Sequence, residues 1–180
     1  MQLIIELSIV IIVLLGFILF MIYKIINNGL KIYNIKFNEA SKILKENLHK
    51  KYDVSLKIIE FLNKTIKIDE ENIQDFLNTN LKNIEMEDLN DILINTDLYI
   101  EGYLEDNEKL VNDKVYKEIV KELDKLDVTI NSTRKYYNDK VNEYNKLIKK
   151  FPYNLVNKMK KYPHRTKLTE QKKTELKILK

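Results

Sequence analysis

The sequence predicts an all-α fold, in which an N-terminal transmembrane helix precedes an antiparallel bundle of long helices. Three observations predict this fold. The chain opens with an uncharged apolar run, LSIVIIVLLGFILFMIY, at residues 7–23. Apolar residues after this run recur at helical spacing. Only three glycines and two prolines occur in 180 residues, so long helices can run with few breaks.

The first element is a transmembrane anchor, predicted for residues 1–28. Crossing about 30 Å of hydrocarbon takes roughly 20 apolar residues, and Leu3–Ile26 supplies that length. The segment has neither the basic start nor the small-residue cleavage site of a signal peptide, so we expect it to be retained. By the positive-inside rule, the N-terminus should face out and the following domain should be cytoplasmic, because four lysines follow the span: Lys24, Lys31, Lys36 and Lys42.

A helical-bundle domain is predicted for residues 29–156. Its first helix, which can be continuous with the anchor, carries one apolar face: Tyr33, Phe37, Ala40, Leu44, Leu48, Tyr52, Ile59, Leu62 and Ile66. Acidic residues from Asp69 indicate the start of a second helical region, which extends from Glu70 to about Leu104 with a break near Asn80–Glu85. A turn is expected around Asn107–Asp113.

The last long helix has a near-heptad apolar stripe from Val115 to Phe151, and Pro152 ends it. Three such helical regions can bury their stripes only against one another, which favours an antiparallel bundle. A coiled-coil dimer is the alternative, because each stripe could also pair across chains.

Residues 157–180 form a basic C-terminal tail, with nine Lys and Arg against two Glu. The tail is either a solvated end or a segment that contacts anionic lipids. Nucleic acid is not an expected partner, since only Tyr162 lies among these charges as a base-stacking residue.

The sequence predicts no catalytic, cofactor or metal site. The two histidines, His49 and His164, have no metal-ligand spacing, and the chain has no cysteine. Three scattered glycines cannot build a phosphate-binding loop. Four acidic residues could gather a metal on one helix, but a solvated face is the commoner reason for such a group: Asp88, Asp91, Asp97 and Glu101.

Residues 131–156, NSTRKYYNDKVNEYNKLIKKFPYNLV, resemble the signature of the LemA family of bacterial proteins. The matching residues are Arg134, Tyr136, Tyr137, Asn138, Tyr144, Asn145, Phe151, Pro152, Asn154 and Leu155. Weaker matches are Tyr33 with Asn34 and Tyr52 with Asp53. Leu56-Lys57 departs from the family's usual Pro-Asn, and the Lys-rich tail replaces its Gly-Phe segment. The resemblance implies a membrane-anchored four-helix bundle without a settled biochemical activity.

Two interpretations of the motif residues stay open. The rings of Tyr137, Tyr144 and Phe151, seven residues apart, pack in the bundle, or they line a groove for a partner helix. Arg134 interrupts the apolar stripe and should pair with a carboxylate, for which Asp53 is the first candidate and Asp127 the second.

The sequence therefore predicts a non-enzymatic scaffold or adaptor at the bacterial cell membrane, which presents its helical faces and its basic tail to a protein partner or to the inner leaflet. One alternative is a structural protein that self-associates through its coiled-coil-like stripe. The other is an enzyme with a metal or carboxylate site in the bundle core, against which the absence of Glu-x-x-His pairs argues.

Overall fold

The computed structural model describes residues 2–66, 68, 70–105 and 107–168. These ranges contain helices and turns but no strand, so the predicted all-α fold is confirmed. A 3₁₀ helix, Glu70–Ile73, precedes α2. The α-helices are α1 (Gln2–Ile66), α2 (Gln74–Leu77), α3 (Met86–Glu105), α4 (Glu108–Val111), α5 (Lys114–Leu147) and α6 (Tyr153–Lys160).

The chain divides into two compact units. The described part of unit 1 is residues 2–39 and 138–167, and that of unit 2 is residues 40–66, 68, 70–105, 107–137 and 168. Both α1 and α5 contribute to each unit, because each helix continues through the division.

In unit 2, α1 and α5 are antiparallel. Residue numbers fall along α5 as they rise along α1 in three side-chain contacts: Asn47 with Thr133, Lys51 with Asp127 and Lys57 with Glu122. The two long apolar stripes are buried where these helices pack. Their buried residues are Leu44, Leu48, Ile58 and Leu62 of α1 and Tyr116, Leu123, Ile130 and Tyr137 of α5.

The connection between α1 and α3 returns along α1. The Tyr52 hydroxyl donates to the Phe76 carbonyl at 3.0 Å, and Lys45 Nζ donates to the Ile84 carbonyl at 2.8 Å. Consequently α3 begins near residue 45 of α1. It runs antiparallel to α5, because Asn90 contacts Arg134 whereas Asp97 shares Lys51 with Asp127. The long helix of the predicted second region starts only at Met86, after the 3₁₀ helix and α2. Asp69, the predicted first cap, lies outside the described residues.

The start of α5 is capped by Asp113. Its Oδ1 accepts hydrogen bonds from the backbone N–H groups of Val115 at 2.7 Å and Tyr116 at 3.3 Å. Such bonds satisfy amides that have no partner within the helix. The helix ends at Leu147, four residues before Phe151, the end predicted from the sequence.

Unit 1 is built on a tyrosine-rich apolar cluster. Its buried members are Ile26, Leu30, Tyr144, Ile148 and Val156, against which Tyr23, Tyr33, Leu147, Tyr153 and Tyr162 pack. Gly29 lets α6 approach α1 closely, since a Cβ at this position would lie 3.2 Å from Tyr153 Oη. Lys161, at φ 50°, ends α6 in the left-handed region.

Before this cluster, α1 is an apolar rod. Its large apolar side chains are exposed by between 41% at Ile22 and 77% at Leu3, whereas Ile26 is only 4% exposed. Among the described residues, α1 is the one helix whose length and composition would let it cross a membrane.

Candidate functional site

A line of polar side chains runs through the interior of unit 2. Asn47, Lys51 and Ser55 are four residues apart on α1 and therefore share one helix face. All three side chains are buried. Burial of polar groups is costly unless partners satisfy them, so the contacts of this line decide what it does.

Lys51 joins three helices. Its Nζ lies 2.7 Å from Asp97 Oδ2 on α3 and 2.7 Å from Asp127 Oδ1 on α5. The lysine side chain is 1% exposed, whereas the two carboxylates are 22% and 29% exposed. The aliphatic stem thus packs inside the unit, and the ammonium reaches two carboxylates at its edge. We call these three residues the Lys51 cluster.

Arg134 is the second buried cation, 1% exposed on α5. Its Nη2 donates to Asn90 Oδ1 on α3 at 3.0 Å, and its Nη1 donates to Asn131 Oδ1 at 2.8 Å. The sequence led us to expect a carboxylate at this place. Instead two amides accept these bonds.

Neither predicted carboxylate is placed at the guanidinium. Asp53 is exposed on α1. Asp127 precedes Arg134 by seven residues on the same helix, which separates them by about 10 Å along the axis. Asp127 accepts from Lys51 instead.

Buried phenols line the same unit. Burial, with a smaller contribution from the nearby Asp124, raises the pKa of Tyr116 to about 12. Burial also raises the pKa of Tyr52, with a smaller contribution from Asp53. Tyr52, a predicted motif residue, stacks on Phe76 at 4.3 Å between ring centroids and donates its hydroxyl proton to the Phe76 carbonyl. Both phenols therefore remain protonated at neutral pH.

In unit 1, two motif asparagines hold the chain at Arg165. Asn145 Oδ1 accepts from the Arg165 backbone N–H at 3.0 Å, and Asn145 Nδ2 donates to the Arg165 carbonyl at 2.8 Å. Arg165 Nη2 donates to Asn34 Oδ1 at 3.1 Å. The guanidinium also lies over the rings of Phe37, at 4.6 Å, and Tyr144, at 5.9 Å.

These contacts of Arg165 bring together the predicted residues Asn34, Tyr144 and Asn145. The same contacts hold part of the predicted tail in place. Its first residues continue α6 to Lys160, and Tyr162 packs on the apolar cluster of unit 1. Burial raises the pKa of Tyr144, and the nearby Arg165 reduces this rise only in part. The tail residues 169–180 lie outside the described residues.

The other motif residues lie at different depths. Tyr137 is buried, Tyr33, Asn138, Pro152 and Asn154 are half-buried, and Tyr136, Phe151 and Leu155 are exposed. The seven-residue repeat of buried aromatic rings thus ends at Tyr144. Phe151 is 72% exposed, because α5 stops at Leu147 and a turn carries Phe151 away from the helix face.

The sequence did not indicate that Lys51, Asn90 and Arg165 hold separate segments of the chain together. The four-residue spacing of Asn47, Lys51 and Ser55 is a signal that could have identified the first. Arg165 is the one arginine among the lysines of the tail, but the sequence does not indicate its partners, which lie 20 and 131 residues away.

Lys51 and Arg134 connect helices through their side-chain contacts. Among the described residues, no three His, Cys, Asp or Glu side chains gather closely enough to hold a metal ion. Asp97, one of the acidic residues considered for a metal, contacts Lys51. An open groove lies between α1 and α5, and its lining includes Lys50, Glu118, Lys121, Glu122 and Lys125. Because it carries both positive and negative side chains, its charge favours neither anions nor cations.

Comparison with known proteins gives one match. The sequence model described as LemA family matches residues 40–178. No curated protein and no solved structure matches the chain. The resemblance inferred from residues 131–156 is therefore confirmed. The match begins after the apolar rod of α1 and covers α3, α5 and α6.

Proposed function

The chain belongs to the LemA family, and from this premise and the geometry we propose that it is a single-pass membrane protein acting as a non-enzymatic scaffold or adaptor. In this proposal α1 anchors the chain in the bilayer. Unit 2 offers the outer faces of its helices to a protein partner.

The observation that carries the proposal is the change of exposure along α1. Large apolar side chains are exposed from Leu3 to Ile22, and burial against other helices begins at Ile26. In water, an apolar surface of this size would be unfavourable at about 25 cal/mol per Å². A bilayer removes that cost, because the side chains then contact hydrocarbon instead of water. The length also fits, since twenty residues at 1.5 Å per residue span about 30 Å.

The distribution of lysines supports an N-out orientation. Lys24, Lys31 and Lys36 follow the apolar rod, whereas no lysine or arginine precedes it. Basic residues near a span favour the cytoplasmic side. Unit 2 and the part of unit 1 that follows the rod are then cytoplasmic in this proposal.

A non-enzymatic role is supported by how the buried ionic groups are used. Lys51 and Arg134 bond side chains of α3 and α5, so their charges serve contacts between helices. Groups committed in this way are not poised for proton transfer or nucleophilic attack on a bound molecule.

Photo-crosslinking in native membranes tests the adaptor role. A photo-reactive amino acid replaces Val128, which is 72% exposed on α5, and in a separate variant the buried Val141 as the matched control. We expect discrete adducts with one other protein from position 128 and none from position 141. Adducts with a second copy alone would favour the self-associating alternative, and the absence of protein adducts would refute the adaptor role.

Cysteine accessibility tests the anchor and its orientation. The chain contains no cysteine, so Val128→Cys creates a single thiol. We expect this thiol to resist a membrane-impermeant maleimide in intact cells and to react after permeabilisation. Labelling of intact cells would reverse the orientation, and release of the protein by alkaline carbonate would refute the anchor.

A further inference from the structure

The outer face of α6 is apolar although nothing in the described structure packs on it. Tyr153, Val156 and Lys160 share the face of α6 directed at α1: Tyr153 lies against Gly29, Val156 joins the cluster of unit 1, and Lys160 Nζ donates to Asn27 Oδ1 at 3.1 Å. At 100° per residue, Leu155 and Met159 point to the opposite side.

The exposure of this outer face is unusually high for apolar side chains. Met159 is 80% exposed, Leu155 51%, and Phe151, one four-residue step earlier in the preceding turn, 72%. Single exposed apolar residues need no explanation, but Leu155 and Met159 share one side of the amphipathic α6, and Phe151 is exposed in the turn directly before it. We call these three residues the α6 outer face.

The charge around this face has one sign. Residues 149–161 contain five lysines and no acidic residue. All five lysines are exposed: Lys149, Lys150, Lys158, Lys160 and Lys161. An apolar face bordered by lysines is the composition of helices that lie in the interface of anionic membranes.

The level of α6 along α1 matches that interface. Its contacts on α1 extend from Tyr23, over whose ring Lys160 Nζ lies at 5.7 Å, to Leu30, and so begin directly after Ile22, the last residue of the exposed apolar rod. One to eight residues correspond to about 2–12 Å along the helix. The head-group region begins where the hydrocarbon ends and extends over a similar distance.

We infer that the α6 outer face is a membrane-binding surface that inserts Phe151, Leu155 and Met159 into an anionic leaflet while the flanking lysines contact lipid phosphates. This inference rests on the proposed anchoring of α1. The occupant is lipid rather than protein, because the face lies beside the end of the span and its charge complements anionic head groups.

The two apolar segments then have separate roles. The rod of α1 crosses the bilayer, and the α6 outer face holds unit 1 against the bilayer surface. A tyrosine-rich cluster at the same level is in keeping with this arrangement, since tyrosine rings favour the boundary between hydrocarbon and water.

The test uses the full chain in vesicles of phosphatidylcholine mixed with phosphatidylglycerol. Three single-cysteine variants carry an environment-sensitive fluorophore: Met159→Cys on the α6 outer face, Val128→Cys on α5 as the exposed control, and Val13→Cys within the rod. Quenching by doxyl-labelled lipids reports contact with lipid, and quenching by iodide reports contact with water.

We expect the probe at position 159 to be quenched by shallow doxyl lipids and to have a several-fold smaller iodide quenching constant than the probe at position 128. Vesicles of phosphatidylcholine alone should weaken this difference. So should replacement of Lys149, Lys150, Lys158 and Lys161 by glutamine.

Three results would overturn the inference, and they are distinguishable. Equal iodide access at positions 159 and 128, with position 13 quenched by deep doxyl lipids, would leave the anchor intact and remove the membrane-binding surface. Protection from iodide without lipid quenching would mean that protein, such as a second copy, covers the face. Absence of lipid quenching at position 13 would refute the anchor and the inference together.

Discussion

The substitution Lys51→Met tests whether the Lys51 cluster stabilises unit 2. Methionine keeps the length and apolar stem of lysine but removes the ammonium, which lies 2.7 Å from each of two carboxylates. Asp97 and Asp127 would then face each other across α3 and α5 without their shared cation.

The magnitude follows from burial. Removing one partner of a buried ion pair costs about 3–5 kcal/mol, because the remaining charge stays buried without compensation. Here the two carboxylates are 22% and 29% exposed, so water can rehydrate them in part. We therefore expect a loss of about 2–3 kcal/mol, which lowers the Tm of a unit of this size by roughly 10–20 °C.

Thermal melting of the full chain in a mild detergent, followed by far-UV circular dichroism, measures this loss. The matched control is Lys57→Met. Lys57 also reaches from α1 to α5, where its Nζ lies 3.0 Å from Glu122 Oε2, but these side chains are 52% and 54% exposed. An exposed pair contributes about 0–1 kcal/mol, so this variant should melt within a few degrees of the native protein.

A double-mutant cycle adds an independent measurement. If Lys51 and Asp97 interact as described, Asp97→Asn should cost less stability in the Lys51→Met background than in the native protein. Equal melting temperatures for Lys51→Met and Lys57→Met, together with zero coupling in the cycle, would refute the assignment of the Lys51 cluster as a stabilising contact.

Three further predictions use the same protein. Asn90→Leu removes the acceptor of Arg134 Nη2 and should cost about 2–3 kcal/mol in the melting assay, since a hydrogen bond to a buried charged group is lost. The pKa of Tyr116 is raised to about 12, so its protonated phenol stabilises the folded protein below pH 10. This contribution, roughly 2 kcal/mol, should disappear as the pH rises from 10 to 12, because the unfolded phenol ionises first. Tyr116→Phe should make this loss smaller and leave the part that comes from Tyr52 and Tyr144. Asn145→Ala frees both backbone groups of Arg165 and should accelerate native-state trypsin cleavage after Arg165 roughly tenfold.

Each of these three predictions has its own contradicting outcome. Asn131→Leu is the control for Asn90, because Asn131 is exposed and water can replace its bond to the guanidinium; an equal loss in both variants would contradict the first prediction. Parallel loss of stability above pH 10 in the native protein and in Tyr116→Phe would contradict the second. Asn142→Ala is the amide control on α5 for the third, which fails if both variants are cleaved at the native rate.

The helices could be predicted because their signals are local. The stripe on α5 places Tyr116, Leu123, Ile130 and Tyr137 in the core, and a 3.6-residue period is enough to identify such a face. The end of that helix was predicted less well. Pro152 fixed the last residue that could belong to it, but the chain leaves the helix already after Leu147.

The partners of the buried cations could not be predicted in the same way. The sequence singled out Arg134 as needing compensation, but the choice between carboxylates and amides depended on which residues of α3 face α5. That register is set by the connection between α1 and α3, which returns along α1 through the contacts of Tyr52 and Lys45. Such contacts join residues 24 to 39 positions apart and leave no periodic signal.

The all-α class, the apolar N-terminal run, the long amphipathic helices and the family could all be inferred from the sequence, because composition, periodicity and a contiguous motif are properties of neighbouring residues. Three features followed only from the packing of the helices. Lys51 rather than Arg134 contacts Asp127, Asn34 and Asn145 bond to Arg165, and Leu155 and Met159 face outward beside the end of the apolar rod. The physical reason is that burial and hydrogen bonding depend on which helix faces meet, and this is fixed only when all the apolar stripes pack together.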